Sequence, residues 1–171
     1  MKSKQNIKWI LLITSLTFVI SMIFSYLSET ILKKSNIVIE LLVLLTVILI
    51  GIIFDMIGVA VTTCAEYPFH AMASRKIKGA KTAIKLIKNK DKVSSFCNDV
   101  IGDICGIVSG TAGVIIATSI AKDSIICSLL VTATISSLTI GGKALGKKVA
   151  VNKSENITRI VSKILSIAEH K

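Results

Sequence analysis

The chain has 171 residues, of which 52% are hydrophobic and 18% charged, with a formal net charge of +11. A soluble domain of this length would carry more charge and would not collect its apolar residues in long unbroken runs. The single proline and the 5% aromatic content argue against a membrane β-barrel, whose segments are short and alternating. No nucleic-acid-binding motif accompanies the basic charge, so nucleic acid is not an expected partner.

Four apolar blocks divide the chain. The first, residues 9–27, has no charged residue and is long enough at 1.5 Å per residue to cross a bilayer core of about 30 Å. We interpret residues 1–36 as a retained, signal-anchor-like membrane helix, with a cleaved signal peptide as the alternative. The other blocks cover residues 37–63, 100–121 and 124–142. The predicted fold is therefore an all-α, polytopic membrane helix bundle with about four transmembrane helices.

The basic residues are unevenly distributed among the segments outside these blocks. The N-terminal tail, the segment between blocks two and three and the C-terminal tail hold eighteen of the 21 lysines and arginines. Only Lys33, Lys34 and Lys122 lie in the other two loops. By the positive-inside rule, we predict a multi-pass plasma-membrane protein with both termini in the cytoplasm.

Two segments with helical periodicity lie outside the blocks. Residues 37–153 are predicted to form a three-span membrane domain. Within it, the segment 71–92 is predicted to be one cytoplasmic juxtamembrane helix with lysines around an apolar face. Residues 154–171 predict a second amphipathic helix in the cytoplasm. We expect the first to lie on the inner leaflet, with its apolar face in lipid and its lysines on anionic headgroups; a specific partner site is the alternative. That face consists of Ile77, Ala80, Ile84 and Ile87.

Cysteine and histidine show no catalytic or zinc-binding spacing, and the cysteines are interpreted as packing residues. No nucleophile–base arrangement is evident, so an enzyme is not expected. The residues concerned are Cys64, Cys97, Cys105, Cys127, His70 and His170.

Asp55 and Asp103 are among the carboxylates that lie in or at the ends of the apolar blocks. A central carboxylate costs about 2.5–3.5 kcal/mol to insert, so each requires a partner or a function. By helical rise, Asp55 lies about 12 Å and Asp103 about 5–7 Å from the inner boundary, close to the depth of Lys143. We predict that these three side chains share one pocket with several hydroxyl groups. The hydroxyls belong to Thr62, Thr132, Ser136 and Thr139.

Two interpretations of this pocket remain open. Carboxylate and hydroxyl oxygens are suitable ligands for a hard divalent cation such as Mg²⁺. Alternatively, Asp103 and Lys143 form a buried ion pair that holds the bundle together. A separate small-residue face at Gly102, Gly106 and Gly110 is predicted to pack closely against another helix.

Three segments resemble one transporter family. The segment LTIGGKALGKKVA at 138–150, followed by SENI at 154–157, is similar to a G-E-x-x-P-K-x-x-A and P-E-x-I pattern. The step IGD at 101–103 resembles an I-G-N motif, and KGAKTAIKLI at 78–87 resembles a basic juxtamembrane helix. These patterns belong to the CorB/CorC (cyclin M) magnesium and cobalt transporters. The resemblance covers about residues 51–164, and its matched positions are Gly142, Lys147, Ala150, Glu155 and Ile157.

The resemblance implies a three-span domain entering from outside, a homodimer, and transport or binding of Mg²⁺ or Co²⁺ with no other cofactor. Asp103 and Asp55 would then be ligands. The chain departs from the family at Lys143, where the family has glutamate, at Gly146, where it has proline, and at Asp103, where it has asparagine. No CBS domain pair follows within these residues, so a short form is expected. The alternative is a non-transporting structural or regulatory membrane protein.

Overall fold

The regular elements in residues 2–32, 36–121 and 124–169, the part of the chain that the computed structural model describes, are all helices. In chain order they are α1 (Lys2–Leu32), α2 (Ile37–Thr63), α3 (Tyr67–Ser74), α4 (Ala80–Lys88), α5 (Lys90–Ser94), a π-helical segment (Ser95–Gly102), α6 (Asp103–Ala121), α7 (Ile125–Asn152) and α8 (Ser154–Glu169). The predicted all-α class is confirmed.

Four stretches of helix are long and apolar enough to cross a membrane, as predicted from the four blocks. They are Trp9–Tyr26, Ile37–Thr63, Lys90–Ile120 and Ile125–Asn152. The last extends ten residues beyond the predicted end of block four. Hydropathy marks where the apolar composition ends, whereas the hydrogen-bonded helix continues into the lysine-rich sequence that follows. The chain is thus a helical membrane protein.

The third span begins in α5 at Lys90, continues through a π-helical segment, Ser95–Gly102, and becomes α-helical again at Asp103. π-helical hydrogen bonds join residues i and i+5, and such segments are rare and occur frequently at functional sites. The wider turn changes the direction in which successive side chains point. A stripe drawn at 100° per residue therefore does not continue across this segment.

The prediction of a single helix over residues 71–92 is wrong. Helix α3 ends at Ser74, and α4 begins only at Ala80. Between them Lys76 has φ 55° and Gly79 has φ 85°, both left-handed conformations that cannot continue a right-handed helix. A further helix, α5, follows after Asn89.

The chain forms two compact units, and the long helices α2 and α7 each contribute residues to both. The first unit contains Met1–Gly51 and Val100–Gly141. Here α1 packs against α6, and Ile13 and Ile20 of α1 lie on a buried cluster. That cluster consists of Val100, Ile104 and Val108.

The second unit contains Ile52–Asp99 and Gly142–Lys171, and in it α4 packs against α3 and α8. Of the predicted apolar face, Ala80 and Ile87 are buried in protein, so the expectation that they lie in lipid is wrong. Ile77 is 42% exposed and Ile84 is partly buried, and for these two the expectation stays a prediction. The physical reason for the burial is that α3 and α8 both pack against α4, and Ala83 and Ile87 form a buried cluster with Cys64 and Phe69. A Cβ added at Gly79 would lie 3.0 Å from backbone atoms of Lys163, which shows how closely the chain approaches α8.

Candidate functional site around Asp55

Two glycines bring α7 against the C-terminal half of α2 within the second unit. A Cβ added at Gly142 would lie 2.7 Å from Cδ1 of Ile52, and one at Gly146 would lie 2.9 Å from Cγ2 of the same side chain. The two glycines are four residues apart and so occupy one face of α7. This small-residue contact allows the helices to approach closely. It also places the lysines that follow each glycine beside α2.

Asp55 is the buried carboxylate at this contact, with 4% of its surface exposed. The Nζ atom of Lys143 lies 3.5 Å from its Oδ2 atom, and the Nζ atom of Lys147 lies 4.0 Å from the same oxygen. The Lys143 side chain is 20% exposed and that of Lys147 is 51% exposed. These distances describe ion pairs rather than short hydrogen bonds. Two positive charges therefore converge on a single negative charge.

Asn98, in the π-helical segment, lies against the same face of α2. A Cβ added at Gly58 would overlap the Asn98 amide, so a side chain at position 58 would have to displace this amide. The Nδ2 group of Asn98 donates a hydrogen bond to Oγ of Ser94 at 3.1 Å. Its Oδ1 atom is buried and accepts no hydrogen bond from the described residues. A buried oxygen without a donor is unfavourable unless a donor or a cation reaches it.

Asp55 and Gly58 are three residues apart and lie on one side of α2. The Asp55 carboxylate and the Asn98 amide oxygen, which lies against Gly58, are therefore on the same side of α2 in the second unit. Sequence analysis missed Asn98 because the apolar block was taken to begin at residue 100. The polar pair Asn98-Asp99, directly before an apolar run, was the signal that could have identified it.

The predicted hydroxyl ligands mostly donate to their own helices. Thr62 donates to the carbonyl oxygen of Val59 at 2.8 Å, Thr132 to that of Ser128 at 2.9 Å and Thr139 to that of Ile135 at 2.8 Å. Ser136 is exposed. Such back-bonding leaves the oxygen lone pairs available but gives no evidence that these groups face a common centre.

The predicted site residues are divided between the two units. Asp55, Thr62 and Lys143 belong to the second, whereas Asp103 and the hydroxyls of Thr132, Ser136 and Thr139 belong to the first. Asp103 is exposed at the start of α6. The single shared pocket and the Asp103–Lys143 pair remain predictions. Among the residues that the structure describes, no group of three or more His, Cys, Asp and Glu side chains could hold a metal ion.

The predicted packing face at Gly102, Gly106 and Gly110 differs from the close contacts in the structure. A Cβ added at Gly106 or Gly110 would meet no atom within 4 Å. Close contact in the first unit occurs instead at Gly51, where an added Cβ would lie 2.9 Å from Cβ of Cys105. Helix spacing depends on which faces meet, so a repeat of small residues does not by itself select the contact.

The chain matches no protein-family model, no curated protein and no solved structure.

Proposed function

We propose that the protein binds and transports a divalent cation such as Mg²⁺ or Co²⁺, with Asp55 as its principal oxygen ligand. The observation that carries this proposal is the buried Asp55 carboxylate. The Asn98 amide oxygen, which accepts no hydrogen bond from the described residues, lies against the same side of α2 at Gly58. Carboxylate and amide oxygens are ligands that hard divalent cations accept. Ionisable groups within membrane spans commonly mark ion pathways. The resemblance to the CorB/CorC transporters supports the same assignment and adds Asp103 as a second candidate ligand.

In this proposal the two lysines hold the carboxylate in the absence of the ion. The ammonium groups of Lys143 and Lys147 neutralise Asp55, and an arriving cation has to displace at least one of them. Lys147 is half exposed, so its long side chain can extend toward the inner headgroups. Movement of Lys143 from Asp55 would then couple ion binding to a change in the contact between α2 and α7.

The test is thermal unfolding of the purified protein in detergent with Mg²⁺, Co²⁺ or Ca²⁺. A ligand that binds only the folded state stabilises it by about 2.7 kcal/mol at 100 times its dissociation constant. We expect the wild type to be stabilised by Mg²⁺ and Asp55→Asn not to be. The matched control is Asp91→Asn, at an exposed carboxylate on α5, which should retain the wild-type response. A wild type that responds to no divalent cation would contradict the proposal.

A second candidate function is favoured by the Asp55–Lys143 contact itself. In that case the protein is a structural or regulatory membrane protein, and the ion pair holds the inner part of α2 against α7. Removing one partner of a buried ion pair typically costs about 3–5 kcal/mol. Loss of stability in Lys143→Ala without any cation response in the wild type would support this function over transport.

We further propose that the protein lies in the plasma membrane with both termini in the cytoplasm. The asymmetric distribution of lysine and arginine supports this orientation. The inner side then carries the lysines of α4, α5 and α8, which would contact anionic headgroups. A homodimer is proposed from the family resemblance alone.

A further inference from the structure

An apolar groove of about 520 Å³ lies within the second unit, on a part of the molecule that the cation proposal does not use. Its lining includes Phe54, Ile57, Leu86, Val93, Phe96 and Val161. The volume falls within the range of about 300–1,000 Å³ typical of small-molecule sites. One charged residue, Lys92, belongs to the lining and is exposed. The groove is therefore apolar with a cationic edge.

The position of the groove relative to the bilayer limits what can fill it. Ile57 lies in a membrane-spanning helix, six residues or about 9 Å from the end of that helix at Thr63. At this depth the surrounding medium is acyl chain rather than water. Leu86 and Lys92, in contrast, belong to the lysine-rich helices α4 and α5 that follow the span. The groove thus extends from the depth of lipid tails to the level of headgroups.

We propose that this groove binds one anionic phospholipid, with an acyl chain along the apolar lining and the phosphate beside Lys92. The apolar lining would otherwise be exposed to water at its headgroup end, which is unfavourable. A lysine close to the membrane surface attracts anionic lipid. A second copy of this chain fits less well, because each copy has a net charge of +11 and would bring further positive charge to this face.

The experiment measures phospholipid binding to the delipidated full-length protein by native mass spectrometry, with phosphatidylglycerol and phosphatidylcholine as probes. Val161→Trp fills the groove, and Ile160→Trp, at an exposed residue next to it outside the lining, is the matched control. We expect Val161→Trp to weaken phosphatidylglycerol binding about tenfold. This factor corresponds to the loss of burial of roughly two acyl-chain methylene groups. The control should change the affinity no more than about twofold.

The headgroup is tested with Lys92→Gln, and Lys90→Gln serves as the control because Lys90 is exposed but outside the lining. Lys92→Gln should reduce the preference for phosphatidylglycerol over phosphatidylcholine about fivefold, the factor that corresponds to about 1 kcal/mol per lysine. If Val161→Trp does not fold, Leu86→Trp tests the groove at another residue of its lining.

Three results would overturn the inference. One is equal affinity of the wild type for the two lipids. Another is equal loss of binding in Val161→Trp and Ile160→Trp. The third is dissociation of an oligomer by Val161→Trp with unchanged lipid affinity, which would assign the groove to a second copy. None of these results depends on a cation response.

Discussion

The ammonium nitrogen of Lys143 lies 3.5 Å from Oδ2 of Asp55, a carboxylate buried in a membrane-spanning helix. Lys147, one turn further along α7, approaches the same oxygen. Since burying an uncompensated charge is expensive, this arrangement explains how α2 can hold an aspartate among apolar residues. It also makes α7 the helix that controls the charge at Asp55.

Removing both lysines should destabilise the protein more than removing either one. We expect Lys143→Ala/Lys147→Ala to lower the free energy of unfolding by about 3–5 kcal/mol, because Asp55 then lacks a buried partner. Lys143→Ala alone should cost less, since Lys147 still neutralises the carboxylate. Denaturant or thermal unfolding in detergent measures both. The control is Lys148→Ala, which removes an exposed charge from the same helix. An unchanged double variant would show that the ion pairs contribute no stability.

The contact between Gly58 and Asn98 should not tolerate a methyl group. Gly58→Ala is expected to cost about 1–3 kcal/mol, because the added Cβ would overlap the Asn98 amide. Gly106→Ala is the control, since a Cβ there meets open space. In the double variant Gly58→Ala/Asn98→Ala the Asn98 amide group that the added Cβ would overlap is gone, so the loss should be smaller. If all three variants unfold alike, the close contact is not significant for stability.

The left-handed conformation of Gly79 should be essential for the packing of α4 against α8. Gly79→Ala adds a left-handed penalty of about 1–2 kcal/mol to the overlap with the Lys163 backbone. We expect faster hydrogen exchange in α4 and α8 than in the wild type, measured by mass spectrometry. Gly141→Ala, where the Cβ would meet no neighbour, should leave this exchange unchanged. Unaltered exchange in Gly79→Ala would contradict the proposed role of this turn.

Cys64, just beyond the end of α2, should react slowly with alkylating reagents. Burial raises the pKa of its thiol above the ordinary value of 9.0, and the negative charge of Glu155 adds to this. A raised pKa keeps the thiol protonated in the folded state, so thiolate appears, and stability is lost, only as pH rises above the ordinary value.

In a protein whose other cysteines are replaced by serine, iodoacetamide should modify Cys64 at pH 9 at least about tenfold more slowly when folded than when unfolded. Lys153→Cys, at an exposed position in the same unit and without Cys64, provides the reference for an accessible thiol. Equal rates for the folded and unfolded protein would exclude the burial effect.

The proposed orientation predicts a specific labelling pattern in intact cells. In a cysteine-free background, a membrane-impermeant maleimide should label single cysteines at positions 33 and 122 from outside, but not at positions 85 and 153. Positions 33 and 122 lie outside the described residues, and Lys85 and Lys153 are exposed in the second unit. Labelling at 85 before permeabilisation, with none at 33, would reverse the proposed topology.

The sequence by itself determined the helical membrane class and the four spans. These follow from composition over about 20 consecutive residues, because a bilayer requires a long apolar segment whose backbone groups are satisfied within the helix. It also identified Asp55 and Lys143 as unusual polar residues in or near the spans. Each of these conclusions depends on local properties of the chain.

Only the tertiary structure decided which side chains meet. Local periodicity could not show that α4 packs against α8. This packing depends on the left-handed turn at Gly79, which sets the direction of α4. The sequence grouped Lys143 with Asp55 and Asp103 in one pocket, but it could not select the Lys143–Asp55 ion pair or place Asn98 against Gly58. Such contacts depend on which helix faces approach and on the wider turn of the π-helical segment, which changes the direction of every side chain after it.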